Sequence, residues 1–146
     1  LRQEVFKEFS NENKMAKAIS LAHPMSSISK YAEIMQGSLF MPFSVVSASV
    51  KVNSGVIVNT SSIVEHDSIL HEFCSLAPGV RTGGNVTINT RSSISLGCSI
   101  APGVEIGKDN VIGAQSFVNK NTKDNAVYYG IPAKFIRERK MGERYL

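Results

Sequence analysis

Chemistry in this chain has to start from few side chains: the histidines His23, His66 and His71, the cysteines Cys74 and Cys98, and the carboxylate of Asp67 directly after His66. An imidazole takes a proton from an incoming nucleophile more readily when a carboxylate holds its other nitrogen, which fixes the tautomer and raises the basicity. Val64-Glu65-His66-Asp67-Ser68 therefore suggests a general base at His66 backed by Asp67, although for the dipeptide alone an ordinary exposed pair is the default reading. His71 follows His66 by five residues, which opens a metal-binding alternative. A catalytic zinc takes three protein ligands and an open position, and the further candidate, His23 with Pro24, reads instead as a structural entry into the first coil of a repeat. The two cysteines show neither metal-type nor redox-type pair spacing, and a reducing, cytoplasmic setting is expected.

That repeat positions these residues. Stepping by six from Ile28 gives Ile34, Phe40, Val46, Val52, Val58, Val64, Leu70 and Leu76, then Thr82, Ile88, Ile94, Ile100, Ile106, Ile112 and Val118. Every position is large and apolar except the β-branched Thr82. Four residues after each stands a second row, running from Ala32 and Ser38 through Cys74, Val80 and Cys98 to Thr122, small or β-branched apart from Asn110. Helices repeat at three to four residues and plain strands at two. A period of six fits a coil of three short flat faces, with one large and one small residue turned inward per face and eighteen residues per turn. Sixteen hexapeptides predict about five turns of a parallel β-helix, on the order of 25 Å tall at about 4.8 Å per turn. The tight turns are expected at Asn53, Gly55, Asn59, Gly79, Gly83, Gly97, Gly103, Gly107 and Gly113, because glycine and asparagine adopt left-handed backbone at little cost.

The register gives His66 an outward direction, two residues past an inward position. Both cysteines fall in the small inward slot on different faces, which argues against a disulfide and against a cysteine nucleophile. Ahead of the coil, residues 1–9 read as the end of an amphipathic helix with Val5, Phe6 and Phe9 on one face, broken at Asn11-Glu12-Asn13. Ala16 to Leu21 reads as a short strand. Behind the coil, Tyr129-Gly130-Ile131-Pro132-Ala133-Lys134 is a turn, followed from about Phe135 by a short basic helix. The net charge of +4 sits largely at that end, in Lys134, Arg137, Arg139, Lys140 and Arg144. No basic, aromatic-interleaved module for nucleic acid is visible. Nor is there a transmembrane run or a signal-like start.

Val64-Glu65-His66-Asp67-Ser68-Ile69, followed by Phe73-Cys74-Ser75-Leu76-Ala77-Pro78-Gly79-Val80, resembles the sialic acid O-acetyltransferase family, which includes the bacterial UDP-4-amino-sugar N-acetyltransferases. Gly83-Gly84-Asn85-Val86, Val104-Glu105-Ile106-Gly107, Val111-Ile112-Gly113-Ala114 and the closing Gly130-Ile131-Pro132-Ala133-Lys134 agree, over about residues 20 to 137. The resemblance implies an all-β, left-handed parallel β-helix. It implies a homotrimer that transfers an acetyl group from acetyl-CoA to an amino or hydroxyl group of a sugar, nucleotide-activated or at the cell surface, in surface polysaccharide or glycan biosynthesis. It makes His66 the general base and Asp67 the acid that supports it. Acetyl-CoA would lie along the groove between neighbouring prisms, lined by Ser75, Gly84, Leu96 and Ala114. Ser75 stands where some relatives carry a histidine, and His71 where glycine is usual. Relatives also carry an N-terminal α/β domain that binds the sugar nucleotide. Residues 1–21 resemble its last helix and strand, 22–128 the acyltransferase coil, and 129–146 the C-terminal turn and helix, so the chain reads as a fragment. A zinc enzyme similar to γ-class carbonic anhydrases, and a non-catalytic trimeric scaffold, remain the alternatives.

Overall fold

The computed structural model describes residues 2–12, 18–140 and 143. Helix α1 (Arg2–Glu12) precedes seventeen two-residue strands and a closing hairpin. The strands stack into three faces. Face A holds β1 (Leu21–Ala22), β4 (Leu39–Phe40), β7 (Ile57–Val58), β10 (Ser75–Leu76), β13 (Ser93–Ile94) and β16 (Val111–Ile112), in that order. Face B holds β2 (Ser27–Ile28), β5 (Val45–Val46), β8 (Ile63–Val64), β11 (Arg81–Thr82), β14 (Ser99–Ile100) and β17 (Phe117–Val118). Face C holds β3 (Glu33–Ile34), β6 (Lys51–Val52), β9 (Ile69–Leu70), β12 (Thr87–Ile88) and β15 (Glu105–Ile106). All are parallel, with each residue paired to the one eighteen positions on, as in Ser75↔Ser93 and Leu76↔Ile94. The architecture is a left-handed parallel β-helix of about 6 turns, an exception to the usual right-handed crossover. Relative to the sixteen expected hexapeptides, β1 adds one further face at the start, where Ala22 stands six residues before Ile28 and pairs with Phe40. An alanine there escapes a search for large apolar residues.

Both inward rows pack as the period requires. From Phe40 to Val118 the large row is no more than 4% exposed, and from Ser38 to Ser116 the small row is buried throughout. Each fully buried Val, Leu or Ile contributes about 1.5–3 kcal/mol of transfer free energy, so the continuous column is the main source of stability. The serines of the small row also stitch successive turns. Ser92 Oγ donates to the Gly107 carbonyl at 2.6 Å and accepts the Asn110 N–H at 2.9 Å. Ser38 does the same with the Asn53 carbonyl and the Val56 N–H. Cys98 copies the donor half, its thiol 2.9 Å from the Gly113 carbonyl, and both cysteines are free and buried.

The corners differ from expectation. Left-handed backbone recurs at every sixth residue from Gly37 to Gln115, whatever the side chain: Phe43, Ser49, Ser61, Asp67, Phe73, Asn85, Arg91 and Asp109 adopt it alongside five glycines. The cost for an ordinary residue, about 1–2 kcal/mol, is offset because the rotated peptide turns its N–H onto a carbonyl of the turn beneath, as in Asp67 N–H to Ala48 O and Gly97 N–H to Pro78 O. Asn53, Asn59, Gly83, Gly107 and Gly113 lie outside that region. Glycine at 113 answers a contact instead, since a Cβ there would overlap the Tyr129 ring.

At the ends, α1 lies over the edge between faces C and A. Phe6, half-buried, meets Phe73 edge-on with ring centroids 5.5 Å apart, while Val5 and Phe9 remain about half exposed. The expected strand from Ala16 to Leu21 reduces to Leu21–Ala22 among the described residues; residues 13–17 lie outside them. Among the described residues the expected C-terminal helix from Phe135 is replaced by strand. Strand β18 (Ala126–Gly130) extends face A beyond β16, and β19 (Ala133–Glu138) folds back on it antiparallel. Among the described residues no helix is long and apolar enough to cross a membrane.

Candidate active site

The edge between faces B and C places His66 and Asp67 in the corner that leads from β8 to β9. Asp67 takes the left-handed backbone conformation (φ 59°) at this corner. The Nδ1 of His66 lies 2.8 Å from Asp67 Oδ2. The Asp67 N–H donates to Ala48 O of the lower turn, and the His66 carbonyl accepts the Asn85 N–H of the upper turn at 2.8 Å. The dyad's backbone is thus clamped on both sides. Its side chains are open, with His66 64% and Asp67 61% exposed. A contact so solvated adds little stability; its effect is orientation. With Nδ1–H donated to the carboxylate, Nε2 is the nitrogen left to accept a proton.

Stacking at eighteen residues brings further neighbours to this corner. Ala48 lies beneath His66 and Gly84 above it, both small, and Asn85 stands one turn above Asp67 in the same left-handed conformation. Ala48 belongs to no motif and Asn85 falls in Gly83-Gly84-Asn85-Val86 with no role of its own assigned there, but the eighteen-residue offset from His66 and Asp67 identifies both.

The other expected site residues fall elsewhere on the prism. Leu96, 53% exposed, and Ala114, also exposed, stack one above the other on the edge between faces A and B. Ser75 is half-buried on face A, its Oγ 3.4 Å from that of Ser93. Within one chain, then, only Gly84 of the four adjoins His66, and the width of face B separates the His66 edge from the Leu96–Ala114 edge. His71 lies at the far end of face C from His66, its Nδ1 3.4 Å from Asn53 Nδ2 and 4.0 Å from Glu72. His23 Nδ1 accepts the Met25 N–H in the first corner. Among the described residues no three His, Cys, Asp or Glu side chains gather as a metal-holding group.

The chain matches no protein-family profile. The GDP-perosamine N-acetyltransferase of Escherichia coli O157:H7 is 28% identical over 79 residues, 54% of this chain and 36% of that protein. The chain thus spans about a third of the length of this curated relative. The acetyltransferase domain of PglB from Neisseria gonorrhoeae, in complex with acetyl coenzyme A, superposes with a TM-score of 0.87 at 30% identity, covering 92% of this chain and 67% of that one. PerB from Caulobacter crescentus, in complex with CoA and GDP-perosamine, gives 0.87 at 25% identity over 93% of this chain and 67% of its own. Shared repeat, shared fold and this identity together give the assignment: the chain belongs to the sialic acid O-acetyltransferase and UDP-4-amino-sugar N-acetyltransferase family of hexapeptide-repeat acyltransferases.

Proposed function

We infer that this chain transfers an acetyl group from acetyl-CoA to an amino or hydroxyl group of a nucleotide-activated sugar, with His66 as general base. The observation that carries the reading is the His66 Nδ1–Asp67 Oδ2 contact of 2.8 Å on an exposed edge, which leaves Nε2 as the ring nitrogen to accept a proton. In the reaction the acceptor nitrogen or oxygen attacks the thioester carbonyl carbon while Nε2 removes its proton. The C–S bond then breaks, and the proton passes to the departing sulfur of CoA. Asp67 holds the imidazole in the tautomer this requires.

The separation of His66 from Leu96 and Ala114 supports a homotrimer. Residues on two different edges line one groove only if neighbouring prisms bring unlike edges together, the His66–Gly84 edge of one against the Leu96–Ala114 edge of the next. Acetyl-CoA would run along that groove, near Ser75 of face A. The bound CoA of PerB and the acetyl-CoA of PglB support this choice of donor, and the GDP-perosamine of PerB an amino-sugar nucleotide as acceptor.

The test is a panel of sugar nucleotides, GDP-perosamine and UDP-4-amino sugars among them, incubated with acetyl-CoA and followed by CoA thiol release and product mass. A gain of one acetyl group on an amino-sugar nucleotide is expected. Stoichiometric acetyl-CoA binding with no transfer to any member would overturn the acceptor class. No acetyl-CoA binding at all would leave a scaffold.

A further inference from the structure

We propose that Gly84 is a positioning residue, whose missing side chain leaves the space in which the His66 imidazole sits against Asp67 with Nε2 clear. The inference rests on the reading of His66 as the base and assigns Gly84 a task separate from lining the cofactor groove.

Two observations isolate that task. First, the backbone at Gly84 does not call for glycine. It lies outside the left-handed region, and the equivalent corner position holds alanine at 48, proline at 102 and leucine at 96. Second, the three nearest atoms that an added Cβ would meet all belong to the His66 ring: Cε1 at 2.6 Å, Nε2 at 2.7 Å and Nδ1 at 3.1 Å. Contacts under 3 Å force movement. Because the ring is the mobile, exposed end of its side chain, it is the ring that gives way, not the coil. An alanine at 84 would push the imidazole off its 2.8 Å contact with Asp67 and occupy the volume next to Nε2 where the acceptor's proton arrives. A displacement of about an ångström in a base that must hold its acceptor within hydrogen-bond reach costs rate and leaves folding intact.

The expected result for Gly84→Ala is a kcat lowered by about tenfold or more, a larger factor than any change in acetyl-CoA affinity by calorimetry, with the melting temperature close to that of the parent. The ring carbon and nitrogen signals of His66 in NMR spectra should move, reporting loss of the fixed Nδ1–H tautomer. In an Asp67→Ala background, where the ring is already released, the added Gly84→Ala change should cost less than it does in the parent, since part of its effect acts through the contact already lost.

Unchanged His66 ring signals together with unchanged kcat in Gly84→Ala would overturn the proposal while leaving His66 as the base. So would a loss confined to acetyl-CoA affinity, which would assign Gly84 to the cofactor, or an unfolded variant, which would show that the ring does not yield. Full activity in His66→Ala would instead remove the reading on which the proposal rests.

Discussion

Because His66 and Asp67 are each about three-fifths exposed, their 2.8 Å contact is a device of orientation and contributes little to stability. It was legible in the sequence because the two residues are adjacent and the six-residue register directs both outward. The rest of the site was less so. Gly84 and Ala48 reach His66 only through the eighteen-residue stacking, and nothing in the motif marks the volume that Gly84 leaves open. Ser75, Leu96 and Ala114 are proposed as site residues only through a resemblance, since no chemistry of their own distinguishes them. A second residue shows the register at work in the core. Burial pushes the Cys98 thiol above its ordinary value, against backbone hydrogen bonds from its neighbours that lower it. A raised value in the folded state means that the neutral thiol's contribution is fully present below the unfolded-chain value and lost as pH rises through the folded one. Denaturant melts should therefore show the parent losing stability relative to Cys98→Ser above about pH 8.5 and matching it to within about 1 kcal/mol at pH 7, because serine fills the same slot elsewhere in the coil. Parallel pH profiles for the two would contradict this.

At the scale of elements, a two-residue strand has no stability of its own, and each face holds because every turn repeats one inward pair. Leu70 on β9 is wholly buried, whereas Lys51 on β6 is exposed beneath Ile69. Leu70→Ala should cost about 2–5 kcal/mol, and Lys51→Ala should stay within about 0.5 kcal/mol, both read from equilibrium denaturation; equal costs would contradict the packing account. The period of six made these strands readable far below the length at which propensity is informative. Propensity misled where the repeat stopped. Ala133–Glu138 is rich in helix formers, but its residues are mostly exposed, so burial imposes no pattern on them, and pairing with β18 decides the conformation over local preference. The corners misled for the opposite reason. Left-handed backbone at Phe43, Phe73 or Arg91 is imposed by hydrogen bonds to the turn beneath, which no local composition reveals.

The whole molecule is a prism whose edges carry different chemistry. One edge bears the His66–Asp67 pair, the edge with Leu96 and Ala114 bears small and apolar groups open to a ligand or another copy, and the remaining edge is covered by α1 and tied by the Arg91–Asp109 pair, with Nε to Oδ1 at 2.8 Å. A single prism keeps the proposed base and the proposed cofactor edge apart, and the proposed assembly of three would join them. The measurement that bears most directly on this account is turnover, acetyl-CoA affinity and solution mass of His66→Ala, all on one preparation beside the parent. The account predicts that kcat falls by about a hundredfold or more, that the acetyl-CoA dissociation constant stays within about twofold, and that the mass remains three times the 15.9 kDa of the chain. Undiminished turnover in that variant would contradict it.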